Sequence, residues 1–391
     1  MKRFFIQSLL IFFLVSLFIN AQTLNREDVD DNYKWNLKDL YASVDEWQQD
    51  KTKIEGQVDE IQKYKGKLGE NSNNLLKTLD TVYGILKDYY RFSGYAGKLR
   101  DQDLGNSENE ALAQQASNLG TKISEAASFI NPEILKIDLE KMNQFFKEQP
   151  KLTQYKMVID DVQRLRKHTL SENEEKILAS FGLTSGTPSD VYGMFTNAEM
   201  PRAEVQLSNG ETIELNSATY SQYRTSDNRE DRSKIFKEFF SNYGKFQKTI
   251  GVNLAGHVKG DFVYAKNRNY ESSLESALNN YNIPTTVYTN LITEINKGLP
   301  TLHRFLNLKK KMLGYDTLHY YDLYTSMVEK AEMKFSVEEG EEVILNALPV
   351  LGDEYIAVLK EAFKNKWIDY YPNVGKRSGA YSSGSVYDVH P

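Results

Sequence analysis

From Trp35 to about Tyr192, apolar residues recur at three- and four-residue spacing among Lys, Glu, Asp and Gln, as in Leu75, Leu76, Leu79, Val82, Tyr83 and Leu86. That is the period of one face of an α-helix, so the stretch can hide its apolar side chains only as packed amphipathic helices. Ser171 followed by Glu174 is a capping-box pattern that opens a helix through Ile177 and Leu178. The charged residues between the apolar positions read as solvated faces. With no cysteine in the chain, there is no disulfide, thiol nucleophile or thiolate metal ligand, and packing must supply the stability.

The first residues, Met1-Lys2-Arg3 and then an apolar run from Phe4 to Ile19 before Asn20-Ala21-Gln22, have the parts of a secretory signal. The run is shorter than the roughly 20 apolar residues of a spanning helix. Residues 1–21 are therefore expected to be a cleaved signal peptide, with export to the periplasm or exterior and no stable membrane insertion afterwards. Cleavage would leave 370 residues of the 391 and, by removing Lys2 and Arg3, shift the formal charge from −6 to −8. That length exceeds the roughly 250 to 300 residues at which single cores stop growing, so two or more lobes are expected. An acidic chain without a basic block argues against nucleic acid as a partner.

The helical period breaks at Glu204–Leu215, where Val205 and Leu207, then Ile213 and Leu215, alternate with polar residues around Asn209-Gly210. A small β-hairpin is expected, with Asn209-Gly210 in the positive-φ positions of a type I′ turn. Helical spacing resumes at Asp227–Glu230 and predicts one long helix through Ile235, Phe236, Phe239, Phe240 and Tyr243 toward Val263. Further helices are predicted from Ser273, from Thr285 after Pro284, from Thr301 after Pro300 to a stop at Gly314, and from Val337 to Phe363. No repeat of fixed period is present.

The five histidines, His168, His257, His303, His319 and His390, are at least sixteen residues apart, and none is followed by Glu. A zinc site of the helical type needs two imidazoles on one helix face at i and i+4 with a Glu between them. His257, in Ala255-Gly256-His257-Val258 on the long predicted helix, is a candidate ligand, but a lone helical histidine is far more often a packed or surface residue. Phosphate-cradle and nucleophile-elbow motifs are absent. Paired carboxylates are recognised by their separation in space, so the 54 acidic residues mark no site by themselves.

Three stretches read together resemble the oligoendopeptidase F family of zinc metallopeptidases, relatives of the thimet-type oligopeptidases. They are Trp35–Tyr41 with Asp45-Glu46-Trp47; Arg229-Glu230-Asp231-Arg232 through Phe262–Leu274, which contains an A-K-x-R-x-Y pattern at Ala265–Tyr270; and G-K-R-S-G-A-Y-S-S-G-S-V-Y-D-V-H-P at Gly375–Pro391. The resemblance implies a mainly α fold: a helical N-terminal lobe at 22–200, then the first, incomplete part of a zincin-like helical peptidase domain at 201–391, with the small hairpin. It implies a cleft that admits short peptides and a zinc-dependent cleavage of their internal bonds. It places the H-E-x-x-H zinc helix beyond Pro391, so no catalytic residue and no metal ligand is expected within 1–391. The expected reading is a truncated or incomplete chain that binds no zinc alone and is inactive. The alternative is a non-catalytic, exported, helical peptide-binding protein.

The closing stretch is where the resemblance touches substrate. Gly375, Gly379 and Gly384 suit close backbone approach, and Ala380-Tyr381 and Val386-Tyr387 favour extended backbone. By resemblance it is a strand bordering the cleft, with Gly379, Ala380, Tyr381 and His390 against a peptide paired as an added strand. In this chain taken alone a polar terminal loop is expected instead, because a strand without packing partners is marginal.

Overall fold

The computed structural model describes residues 24–328, 334–377 and 379–384. The expected signal peptide and His390 lie outside those residues. The architecture is helical with one two-stranded antiparallel sheet, as the apolar spacing predicts. The first lobe comprises α1 (Val44–Gln62), α2 (Ser72–Gln102), α3 (Ser107–Ala127), α4 (Ile130–Lys136), α5 (Leu139–Glu148), α6 (Lys156–Arg164), α7 (Glu172–Ser180), α8 (Gly182–Ser185) and α9 (Thr187–Met194). The remainder comprises β1 (Ala203–Gln206), β2 (Thr212–Leu215), α10 (Ser217–Tyr223), α11 (Arg229–Lys245), α12 (Gln247–Asn267), α13 (Ser273–Asn279), α14 (Thr285–Met312), α15 (Val337–Ala347) and α16 (Asp353–Lys364).

The first core follows directly from the spacing. Trp47, Ile54 and Ile61 fall seven residues apart on α1 and meet Leu75, Leu79 and Phe92 of α2 and Leu119 and Ile123 of α3. Trp47 stacks on Phe92 with ring centroids 4.1 Å apart, and its indole N–H donates to the Phe92 carbonyl at 2.8 Å. Each such large side chain contributes about 2 to 3 kcal/mol by leaving water. Ser43, Asn71, Asn106 and Asp138 cap the N-termini of α1, α2, α3 and α5, and the capping box of α7 forms at Ser171 and Glu174. A smaller second core joins Val205, Leu207, Ile213 and Leu215 of the hairpin to Tyr220 of α10 and Ile235 of α11.

Four local expectations are corrected. The hairpin forms with Val205 opposite Ile213, but only Gly210, at φ +86°, has positive φ. Leu207 N–H donates to Glu211 O and Gly210 N–H to Leu207 O, giving a three-residue loop that ends in a left-handed glycine rather than a type I′ turn. The buried Asp231 of α11 selects it by accepting the Ser208 backbone N–H at 2.9 Å and the hydroxyl at 2.7 Å.

The long helix after Asp227 is two helices, interrupted at Phe246, whose ring leaves the axis to pack edge-on against Phe195 at 5.0 Å. Conversely, Pro300 starts no new helix: α14 runs through it for 28 residues before stopping at Gly314, φ +69°. One lost N–H is tolerated where the helix continues for three turns on either side. The stretch from Val337 is broken by Pro349 and Gly352.

At Gly375–Gly384 the loop expected for this chain taken alone is found, and the strand implied by the resemblance is not. Among its described residues the segment is irregular chain, with no strand from Lys376 onward, and the nearest sheet-like contact is an isolated parallel bridge between Leu24 and Asn373. Its backbone and side chains bond instead to the end of α2 and to Leu104 just after it, and those bonds replace a sheet ladder.

Candidate functional site

A cleft of about 990 Å³ opens where three parts of the chain meet: Lys98 and Asp101 near the end of α2, the turn and hairpin region of Thr196, Asn197, Arg202, Glu214, Asn216 and Ser217, and the closing segment from Trp367 to Ser383. A second cavity of about 710 Å³ adjoins it, shares Thr196, Asn197, Ser217 and Arg377, and extends past Asp190 and Tyr192 to Asn253 and His257 of α12. Volumes of this size suit a ligand of several residues.

Each wall is fixed by bonds legible in its chemistry. At 195–199 the backbone takes one π-helical turn, a rare geometry that recurs at functional sites. Arg202 closes it by donating to the Thr196 carbonyl at 3.1 Å and to the Asn197 carbonyl. Asn216 caps α10 by accepting from Ala218 N–H and Thr219 N–H at 2.8 and 2.9 Å. Arg100 pairs with Glu110 at 2.8 Å and with Asp190 at 2.6 Å, tying α2 to α9.

The closing segment is anchored at both ends of the chain. Asp369 is buried and accepts from Arg26 through both guanidinium ends, from Lys376 Nζ and from Trp35 N–H. Burial opposes ionisation, but Arg26 and Lys376 hold the Asp369 carboxyl below the usual carboxylate range. Gly375 O accepts from Leu104 N–H at 2.8 Å, and Arg377 N–H donates to the Asp101 carbonyl at 2.9 Å. Gly375, at φ +75°, passes so close to Asp103 that a Cβ would sit 2.1 Å from its Oδ1, so here the glycine is required by both conformation and space.

The predicted substrate-facing residues divide. Gly379, Ala380 and Tyr381 all line the larger cavity, so the structure brings these three together; His390 lies outside the described residues. Tyr381 donates its hydroxyl to Asp101 Oδ2 at 2.6 Å, and burial with that carboxylate pushes its phenol up, so it remains a protonated donor at neutral pH. His257 borders the smaller cavity, half-exposed, with the Asp261 carboxylate 3.7 Å away one helical turn on. No group of three or more His, Asp or Glu residues that could hold a metal occurs among the described residues. Residues not singled out from sequence include Asp101, Asn197, Asn216 and Asp369. Asn216-Ser217-Ala218-Thr219 does carry a helix-cap pattern, while Asp369 meets Arg26 across 343 residues and leaves no local signal.

The A-K-x-R-x-Y stretch lies away from this cleft and acts as a clamp. Arg268 donates to both oxygens of Glu175 at 2.9 and 2.8 Å and to the His168 carbonyl at 3.1 Å. His168 Nδ1 lies 2.8 Å from the Arg268 carbonyl, and its ring stacks on Tyr270 at 3.6 Å. Asn269 turns the chain at φ +58°. The pattern therefore joins α7 of the first lobe to the end of α12.

Two family models match the chain: Oligopeptidase F over residues 133–201 and Peptidase family M3 over residues 222–389. Oligopeptidase PepF of Bacillus subtilis is 36% identical over 370 residues, covering 95% of this chain and 55% of that protein. An oligoendopeptidase F homolog of Lactococcus lactis subsp. lactis is 33% identical over 94% of this chain and 61% of its own length. This chain thus spans under two thirds of the length of these curated relatives. The crystal structure of oligoendopeptidase-F from Enterococcus faecium superposes with a TM-score of 0.72 at 34% identity, covering 82% of this chain and 60% of that one. Identity held at a third along almost the whole sequence, with the same helical fold beneath it, makes this chain a member of the oligoendopeptidase F family of M3 peptidases.

Proposed function

We propose that the protein acts as an oligoendopeptidase, hydrolysing internal bonds of short peptides, and that residues 1–391 supply walls of its peptide cleft. One observation carries the reading: the closing segment, inside the span matched by the M3 peptidase model, forms a wall of the 990 Å³ cleft. Amides at Asn197 and Asn216, hydroxyls at Ser217 and Tyr381, and backbone from Gly379 to Ser383 offer a peptide main chain donors and acceptors along its length. Three of the acidic groups there are met by cations, Asp369 by Arg26 and Lys376, Asp190 by Arg100 and Asp101 by Arg377.

The family resemblance calls for one zinc ion. The described residues do not fit it, since His257 has one carboxylate near it and no third donor among them. We assign the metal chemistry to residues other than these. We further propose export through residues 1–21, with residues 22–200 as the helical lobe and 201–391 belonging to the peptidase domain.

Metal analysis and a quenched peptide spanning an internal bond provide the test. The native protein containing this chain is expected to cleave the peptide and to stop when chelated. The purified 1–391 polypeptide is expected to hold no stoichiometric zinc and to leave the peptide intact. Tight one-to-one zinc with turnover by that polypeptide overturns the metal assignment, and a native protein that leaves the peptide uncut overturns the peptidase reading.

A further inference from the structure

We propose that Arg377 is the carboxylate-reading residue of the cleft, so that the favoured ligand is a peptide presenting a carboxylate at the junction of the two cavities. The inference rests on the peptide-cleft reading above and adds to it a specificity.

Arg377 lines both cavities. The other cations around them are spent on protein groups. Arg100 holds Glu110 and Asp190. Arg202 holds the Thr196 and Asn197 carbonyls. Lys376 donates to the Asp369 carboxylate and to the carbonyls of Asp369 and Tyr371. Lys98 is buried and engaged. Among the described residues, Arg377 instead makes one side-chain contact, from a terminal nitrogen to Asp101 Oδ1 at 3.3 Å, and its side chain is 58% exposed.

A guanidinium has five N–H donors in a planar fork, so most of this one's capacity faces the cleft. Two further bonds prepare it. Its own backbone N–H is pinned to the Asp101 carbonyl at 2.9 Å, which fixes the point from which the side chain projects. The Tyr381 hydroxyl, 2.6 Å from Asp101 Oδ2, occupies the other carboxylate oxygen, so Asp101 does not take the fork in bidentate fashion. An incoming carboxylate can do so, and the fork–carboxylate pair is the stronger and more directional form of this bond. A carboxyl terminus and an acidic side chain offer the same chemistry.

Fluorescence anisotropy of short labelled peptides on the purified 1–391 chain at low ionic strength tests the assignment. Three peptides of one sequence are compared: a free acid carrying one internal Asp, its carboxy-terminal amide, and its Asp→Asn form. Removing the carboxylate that Arg377 reads is expected to weaken binding about tenfold, the size of one well-formed charge-assisted contact, and added salt should shrink the difference. In Arg377→Met the same change should matter less than about twofold, and Arg377→Lys should fall between, since it keeps the charge and loses the fork. Sensitivity to amidation identifies the carboxyl terminus as the group read, and sensitivity to Asp→Asn identifies the side chain. Equal binding of all three peptides, or undiminished discrimination in Arg377→Met, overturns the role of Arg377 while leaving the peptide cleft standing. Failure of every peptide to bind overturns the cleft reading itself, and this inference with it.

Discussion

At the scale of single residues, two positions hold the cleft wall. Gly375→Ala places a methyl group against Asp103 Oδ1 and forces an L-residue to φ +75°. The expected cost is about 1 to 3 kcal/mol, read as a lower urea midpoint with an unchanged slope. Asp369 makes a prediction in pH. Its folded carboxyl lies below its unfolded value, so the stability it adds is present above the unfolded carboxylate range, about 4, and is lost as pH falls through the lower folded value. Asp369→Asn should therefore be less stable than wild type at neutral pH. The gap between the two urea midpoints should narrow as pH is taken below about 4, and a gap independent of pH counts against the ionised pairing. Neither residue names its partner in sequence. Gly375 reads as suited to close backbone approach without naming Asp103 as what it approaches, and Asp369 acquires its meaning from Arg26 at the other end of the chain.

At the scale of elements, spacing and caps were legible and interruptions were not. The helices of the first lobe stand where three- and four-residue periodicity places them, because each has a face that only its neighbours can cover. Pro300 misleads as a helix start: local rules weigh its missing N–H, while a helix of 28 residues can absorb one lost bond. Pro300→Ala is accordingly expected to raise stability, by about 1 kcal/mol or more, seen as a higher melting midpoint with helix content unchanged by circular dichroism. Phe246 misleads in the other direction. Its residue type is compatible with a continuous helix, and the break reflects a ring contact with Phe195 from a distant part of the chain. The hairpin was predicted in place and partly mistaken in turn type, since Asp231 of α11 decides the loop through Ser208.

At the scale of the whole molecule, the two parts differ in how they hide apolar surface. Side chains of α1 to α3 are buried in one core, whereas α12, α14 and α16 expose theirs: Val252 is 75% exposed, and Phe262, Leu291, Ile295, Leu302 and Val358 are also open to solvent. No described helix is long and apolar enough to cross a membrane. Apolar faces this extensive associate, so the purified 1–391 chain is expected to enhance the fluorescence of a hydrophobic dye and to sediment faster as its concentration rises. Absence of both effects would show that these faces are covered in solution. The sequence by itself determined the helical class, the position of the hairpin and the family, because apolar period and motif order are local properties that survive without coordinates. It also pointed to Gly379, Ala380 and Tyr381. Only the tertiary structure decided that the closing segment is held by α2 and the N-terminal residues rather than by a sheet, and that, among the described residues, Arg377 has a single side-chain contact while its neighbouring cations are spent. Those outcomes depend on which charges meet across hundreds of residues, and no local pattern encodes such a meeting.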